Sequence, residues 1–451
     1  MAKSIKLTRR IALAGLATVP SLARGSAAAL GFRDWAPTPP MGWNSWDSFG
    51  PTIREDDVHK IAAIMAQRLL PHGYDVFTID IQWYEPGANS FVYRKGATLS
   101  MDAWSRLIPA SNRFPSAAGG AGFKPIGDYL HGLGLKFGIH IMRGIPRQAV
   151  EQNAAVLGTQ ARAADIVNRE SICAWNGDMY GVDMAKPGAQ AYCDSLIQLY
   201  ASWGVDFIKA DDMSRPYGEH QAEIHALRAA IDRCGRKIVL SLSPGETPLG
   251  SAKDVRRQAN LWRISDDFWD KWSLLLAQFE RLENWAPYCG NGTWPDADML
   301  PLGLIDLGKR RTNFTPDEQK TLMTLWCMAR SPLIMGGDLR TLDDATLALL
   351  CNGEVLAINR ASRNNRQVAR SAEDAVWAAQ GKRNGDTYLA VFNLRDSGEA
   401  SPVAVPLRAL GLREPVKIRD LWAHTEVAQS GPIFAPEVSV HGARCFRIAR
   451  G

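Results

Sequence analysis

Between positions 41 and 350 the chain alternates short apolar runs with longer amphipathic stretches, and that alternation limits the folds open to it. Strands are predicted at 41–46, 75–80, 135–141, 206–211, 237–242, 261–265 and 332–335. Several are nearly all apolar, as strands covered on both faces of a parallel sheet must be. Helices are predicted between them at 56–70, 188–203, 219–234, 269–283 and 316–329. Repeated strand–helix units over about 300 residues predict an α/β fold, a (β/α)8 TIM barrel, with a doubly wound sheet as the alternative. Past about Ala357 the pattern becomes short strands at 375–380, 387–393, 403–407, 416–421 and 445–448, with Asn384-Gly385 as a tight-hairpin signal. The expected organisation is a catalytic barrel over 30–356 and a C-terminal antiparallel β-sandwich domain over 357–451.

The first 29 residues read as an export signal. Thr8-Arg9-Arg10 precedes an uncharged run from Ile11 to Leu22, and Ser26-Ala27-Ala28-Ala29 offers a small-residue cleavage site. A basic n-region with paired arginines suggests twin-arginine export, so the expected location is periplasmic or secreted. This segment also carries five basic residues and no acidic one, which accounts for the whole net charge of +5. Without it, 47 basic residues face 47 acidic ones. Nucleic-acid binding, which rests on excess positive charge, loses its support. No apolar run reaches the roughly 18–20 residues of a bilayer-spanning helix, so no membrane span is expected. Seven scattered cysteines without a CxxC pair, and eight histidines without HExxH, supply no zinc pattern. The expectation is no metal and no cofactor; oligomeric state stays open.

Polar residues gather at the C-terminal ends of the predicted strands, where barrel enzymes hold their catalytic groups. Thr78-Ile79-Asp80-Ile81-Gln82-Trp83 ends the second strand, Phe207-Ile208-Lys209-Ala210-Asp211-Asp212 the fourth, and Trp262-Arg263-Ile264-Ser265-Asp266-Asp267 the sixth; Trp294-Pro295-Asp296-Ala297-Asp298 lies near a later one. Side chains at i and i+2 of a strand share a face. Lys209 therefore points with Asp211 and away from Asp212, and the same rule groups Arg263, Ser265 and Asp267 against Asp266. Lys209 should favour an ionised Asp211, suiting a nucleophile, and that charge should help keep Asp267 protonated, suiting an acid. The 15 tryptophans outnumber both Phe (14) and Tyr (10), and Trp43, Trp46, Trp83, Trp262 and Trp294 fall near strand ends, where flat rings suit sugars.

Pro39-Pro40-Met41-Gly42-Trp43-Asn44-Ser45-Trp46 followed by Phe49-Gly50 resembles the opening of the melibiase-type α-galactosidases, glycoside hydrolase family 27. The likeness continues through Gly204–Asp211, through Trp262-Arg263 with Asp267, through Trp294–Leu300 and through Ser331–Met335 with Asp338-Leu339-Arg340. The resemblance implies metal-free hydrolysis with retention of anomeric configuration, Asp211 acting as nucleophile and Asp267 as acid/base. It further implies sugar contacts from Trp46, Asp80, Lys209, Arg263 and Asp298, to which Ile81, His140 and Ser243 are added as substrate-binding positions.

The departures bear on the sugar. Two adjacent acids are usual after the second strand, but here Ile81 follows Asp80. Gln82 and Met213 stand where the family commonly has cysteines, and Ser243 stands where α-galactosidases often carry a larger acid near the 2-position. The 142–180 loop looks longer than usual and is expected to bring Arg143, Trp175 and Asp178 to the rim. The expected function is release of terminal α-D-galactose or β-L-arabinopyranose from an oligosaccharide or polysaccharide side chain. An α-N-acetylgalactosaminidase is the nearest alternative. A lyase or aldolase using Lys209 as a Schiff base, or a sugar-binding module without catalysis, are rivals of other classes.

Overall fold

The computed structural model describes residues 28–381 and 385–450. Nearly all of the expected export segment, and Asn384 of the expected hairpin, lie outside the described residues. Among the described residues no helix is long and apolar enough to cross a membrane.

Eight parallel strands form one sheet: β1 (Met41–Asn44), β2 (Val76–Ile79), β3 (Lys136–Met142), β4 (Phe207–Asp211), β5 (Val239–Leu242), β6 (Leu261–Arg263), β7 (Trp294–Asp296) and β8 (Leu333–Met335). Their spatial order is β7-β6-β5-β4-β3-β2-β1-β8. The two ends meet where Leu300, just past β7, pairs in parallel with Met335, its amide donating to the Ile334 carbonyl at 2.8 Å. The sheet is therefore curled into a barrel, as the alternating pattern predicts. The seven expected strands are present, and β7 is an eighth that sequence periodicity did not mark. Gly42 in β1 permits close strand approach, because a Cβ there would lie 2.1 Å from the Val76 carbonyl oxygen.

Helices α1 (Glu55–Arg68), α2 (Lys124–Gly132), α3 (Ala189–Ser202), α4 (Tyr217–Arg233), α5 (Ala252–Gln258), α6 (Trp272–Trp285), α7 (Pro316–Ala329) and α8 (Gly353–Ala361) connect and cover the strands. The best-marked start is that of α7. Thr315 Oγ1 accepts from the Glu318 amide at 3.2 Å, Glu318 Oε2 accepts from the Thr315 amide at 2.8 Å, and Pro316 follows the cap. Helix α6 starts three residues later than expected. Asp270 is held in the preceding loop by Arg310 and by the Asn313 amide, which keeps 269–271 out of the helix. Between β3 and α3 an insertion builds a three-stranded sheet of its own from Ile145–Pro146, Met179–Val182 and Val167–Asn168, over a separate small core.

Helix α8 spans the expected junction at 356/357, and the antiparallel sheet begins at Arg363. That sheet holds β9 (Arg363–Arg370), β10 (Asp374–Gln380), β11 (Thr387–Asn393), β12 (Val416–Asp420), β13 (Thr425–Val427) and β14 (Ala443–Arg450), in the order β9-β10-β11-β14-β12-β13. Its residues sort by parity. Ala375, Trp377, Ala379, Ala390, Phe392 and Cys445 join the barrel core, while Val376, Leu389, Val391, Phe446 and Ile448 pack under short hairpins on the opposite face. A two-residue side-chain period thus gives the sheet two apolar faces, as a sandwich requires. All seven cysteines are free thiols.

Candidate active site

Strands β3 and β4 run in register with His140 beside Lys209 and Met142 beside Asp211. At the C-terminal mouth of the barrel a pocket of about 300 Å³ is lined by Trp46, Asp80, Ile81, Tyr93, Trp175, Lys209, Asp211, Arg215, Ser243, Pro244, Arg263, Asp266 and Asp267. Eight of the ten sequence-predicted site residues line it: Trp46, Asp80, Ile81, Lys209, Ser243, Arg263, Asp211 and Asp267. His140 and Asp298 do not, and stand directly behind it.

Asp80 and Lys209 form the pocket floor. Asp80 Oδ2 accepts from Lys209 Nζ at 3.0 Å and from Asn44 Nδ2 at 2.8 Å, while Oδ1 accepts from the Ile81 amide at 2.9 Å. Burial alone would raise the Asp80 carboxyl, but Lys209, His140 and these donors outweigh it and hold the group down at about 2. Burial works against the Lys209 charge, yet Asp80, Asp211 and Asp298 together raise its pKa above the ordinary lysine value. Both shifts favour the ionised form of the pair.

Asp211 is fixed from three sides. His140 Nε2 lies 3.0 Å from Oδ2; the Asp212 amide and the Ser243 hydroxyl donate to Oδ1 at 3.0 and 3.3 Å. An ionised carboxylate only accepts, so His140 Nε2 must carry its proton. Burial pushes the Asp211 carboxyl up, but the His140 hydrogen bond and charge, Lys209 and the Asp212 amide bring it below the usual aspartate value. His140, expected to touch sugar, is buried beneath Asp211 because its ring is committed to that bond.

Asp267 differs in environment. Enclosure within the cleft raises its carboxyl; Arg263, 3.5 Å away, opposes this, and the negative charges of Asp298 and Asp211 add to the rise. One carboxyl is shifted down and the other up, the separation that acid/base division of labour needs. Asp298, also expected to contact sugar, instead accepts from Arg263 at 2.7 Å and from the Phe268 amide at 2.7 Å. It pins the arginine and the loop that carries Asp267.

Strand parity holds on β4: Lys209 and Asp211 face the pocket, and Asp212 turns away into a buried cluster. There Arg143 NH2 meets Asp212 Oδ2 at 2.7 Å and Arg143 NH1 meets Glu223 Oε2 at 2.7 Å. Parity does not extend to 266 and 267, because β6 ends at Arg263 and the chain bends after it. Both acids therefore line the pocket, with Asp266 paired to Arg215 at 2.7 Å. Of the expected rim residues only Trp175 reaches the pocket. Arg143 is buried in the cluster just described, and Asp178 is buried against Gln82 Nε2 (2.8 Å) and the Tyr84 hydroxyl (3.0 Å). Gln82 is thereby also turned from the sugar. Tyr93, whose ring stacks 6.4 Å from that of Trp46, and Arg215 come from loops that carry no periodic signal.

A family model described as Alpha galactosidase A matches residues 169–361, and one described as Alpha galactosidase C-terminal beta sandwich domain matches 372–448. An α-galactosidase of Coffea arabica is 30% identical over 91% of this chain and 93% of its own. The family 27 β-L-arabinopyranosidase of Geobacillus stearothermophilus, solved in complex with arabinose, is 53% identical, with a TM-score of 0.91 over 94% of this chain and 99% of that one. A putative α-N-acetylgalactosaminidase structure from Bacillus halodurans is 47% identical, with a TM-score of 0.83 over 92% and 97% of the two chains. With the barrel, the β-sandwich and a carboxylate-lined pocket in place, these matches establish that the chain belongs to the α-galactosidase family, glycoside hydrolase family 27, and is a glycoside hydrolase.

Proposed function

We propose that this enzyme releases terminal β-L-arabinopyranose, and more slowly terminal α-D-galactose, by a retaining double displacement at Asp211 and Asp267. The observation that carries the choice of sugar is Ile81. It lines the pocket next to Asp80, in a place where α-galactosidases have a second acid, and its side chain has nothing to offer a hydroxyl. β-L-Arabinopyranose has the ring stereochemistry of α-D-galactose without the hydroxymethyl arm, so it leaves no hydroxyl to be satisfied there. The 53% identity to an arabinopyranosidase supports the same reading. A pocket of about 300 Å³ suits one ring and hence exo action.

In the first step the Asp211 carboxylate attacks the anomeric carbon, the bond to the leaving oxygen breaks, and Asp267 gives that oxygen its proton. In the second, Asp267 takes a proton from water, the resulting hydroxide oxygen bonds to the anomeric carbon, and the Asp211 ester bond breaks to restore both acids. Lys209 is unsuited to Schiff-base chemistry, which needs a neutral amine, because Asp80 holds it as the ammonium. Export is proposed from the paired arginines and apolar run at the N-terminus.

The deciding measurement is kcat/KM on aryl β-L-arabinopyranoside and aryl α-galactoside for wild type and Ile81→Asp. An unpaired buried hydroxyl costs about 1–3 kcal/mol, so wild type should favour the arabinoside by roughly 5- to 150-fold, and the substitution should move the ratio toward galactose. Strong preference for the galactoside, unmoved by Ile81→Asp, would overturn the assignment. Ser243 is small enough to leave space near the 2-position, so an aryl N-acetyl-α-galactosaminide belongs in the same comparison; preference for it would favour the second reading.

The pH profile gives another expected outcome. Activity needs Asp211 ionised and Asp267 protonated. With Asp211 shifted down, the acidic limb falls below the ordinary aspartate range; with Asp267 shifted up, the alkaline limb lies above it. On a donor with a good leaving group, Asp267→Ala should lose the alkaline limb and keep the acidic one.

A further inference from the structure

Strand β3 ends at Met142 beside Asp211 of β4, so Arg143 and Asp212 leave the sheet as neighbours, one residue beyond the nucleophile. Asp212 has a φ of 59°, in the left-handed region that a residue with a Cβ adopts at a cost and that Asp and Asn tolerate best. In this conformation its side chain enters the buried cluster while its N–H donates to Asp211 Oδ1 at 3.0 Å. The peptide that aims one of the nucleophile's hydrogen bonds is therefore one that the backbone does not favour unaided.

Arg143 holds that peptide. Its amide donates to the Asp211 carbonyl at 3.0 Å and its Nε to the Asp212 carbonyl at 3.0 Å. Nε and one terminal nitrogen also reach Asp212 Oδ2, at 3.1 and 2.7 Å. The other terminal nitrogen donates to Glu223 Oε2 at 2.7 Å, and Glu223 Oε1 accepts from the Val182 amide at 3.0 Å. Helix α4 and the insertion sheet thus anchor the guanidinium in turn. Gly181 leaves it room, since a Cβ there would lie 2.8 Å from the guanidinium. Arg143, Asp212 and Glu223 are all buried, and with all seven cysteines free no disulfide braces the turn.

We propose that Arg143 is a positioning residue for the nucleophile. By gripping Asp212 at both its carbonyl and its carboxylate, it holds the left-handed turn whose N–H fixes the Asp211 carboxylate. This role rests on the double displacement proposed above and adds to it a residue that never meets the sugar. An attacking carboxylate must present its oxygen in line with the anomeric carbon, and small departures from that line cost rate while leaving binding alone. A bare counter-charge for two buried acids could equally be an ammonium. Gripping a carbonyl, a carboxylate and Glu223 at once takes the planar fork of an arginine.

Arg143→Lys separates the two roles, because it keeps the counter-charge and gives up the fork. Its Tm should stay well above that of Arg143→Met, with wild-type circular dichroism at the assay temperature. Its kcat/KM on the aryl β-L-arabinopyranoside and aryl α-galactoside should nevertheless fall about 10- to 100-fold. Inhibition constants of free L-arabinose and D-galactose should stay within about twofold of wild type, because the pocket floor is untouched. Asp212→Ala should lose activity by a similar factor, since alanine neither favours the turn nor offers Arg143 an oxygen. Asp212→Asn does both and should recover most of that loss. A kcat/KM within about threefold of wild type in either Arg143→Lys or Asp212→Ala overturns the proposal, as does a loss matched by weaker binding of the free sugars. An Asp212→Asn variant no better than Asp212→Ala overturns it too, because the charge and not the held peptide would then matter. Wild-type protein that turns over neither aryl glycoside overturns the proposed function itself, and the positioning role with it.

Discussion

Asp211→Gly should lower kcat by on the order of 10⁴-fold or more, because the group that forms the covalent intermediate is gone while the rest of the pocket stands. The structure gives this variant a specific second signature. His140 Nε2, the Asp212 amide and the Ser243 hydroxyl all point at the Asp211 carboxylate oxygens, and Lys209 lies on the same strand face. Together they make a ready-made site for a small anion. Azide should therefore restore part of the activity by bonding to the anomeric carbon from the vacated side. The product should be a glycosyl azide of configuration opposite to the substrate, whereas wild type returns the sugar with its configuration retained. Proton NMR of the early products distinguishes the two. Rescue without an azide adduct, or Asp212→Ala matching the loss of Asp211→Gly, would show that the strand face was misassigned.

Arg143→Met should cause the largest loss of stability. It leaves the Asp212 and Glu223 carboxylates buried with no counter-charge, and breaking a buried ion pair from one side costs about 3–5 kcal/mol. The pH dependence has a definite sign. Burial already raises Asp212 to about 6 against the opposing pull of Arg143, and raises Glu223 as well. A carboxyl whose folded pKa lies above its unfolded value stabilises the fold below the unfolded pKa, and that contribution is lost as pH rises through the folded pKa. Removing Arg143 pushes both folded values higher still. The drop in Tm should consequently be larger at pH 8 than at pH 5. An equal drop at both would mean that Arg143 acts by packing alone.

How far the site can be read from the sequence depends on how far regular backbone reaches. On β4 the strand persists through Asp211, so a two-residue period correctly separates the pocket-facing Lys209 and Asp211 from Asp212. On β6 the strand stops at Arg263, and the same rule has no meaning four residues later, which is why Asp266 reaches the pocket beside Asp267. Arg143 lies in the long 142–180 loop, whose length alone points to the rim, yet it is buried. Its partners lie 69 and 80 residues away, a pairing no local pattern encodes. His140 and Asp298 stand one layer behind the pocket, since sequence does not distinguish a side chain that meets the sugar from one that holds the residue that does. The barrel itself was legible because each strand needs an apolar run. Strand β7, with Trp-Pro-Asp, lacks one and so carries no periodic signal.

Helix α7 has a consequence for how the molecule comes apart. Thr321 through Ala329 are buried without interruption. Trp326 donates to the Asp298 carbonyl on the barrel side at 2.9 Å, while Thr321 and Thr324 bond to His441 and Trp422 of the β-sandwich. An α-helix sheathed all round is a core element, not a surface one. The antiparallel sheet is thus the outer wall of the catalytic barrel, and Phe279 meeting Phe392 edge to face at 5.0 Å continues the same seam. The two parts should melt cooperatively, and a chain cut before Arg363 would leave α7 with its sandwich-facing side in water. Exchanging this β-sandwich for another would mean re-matching an entire helix face.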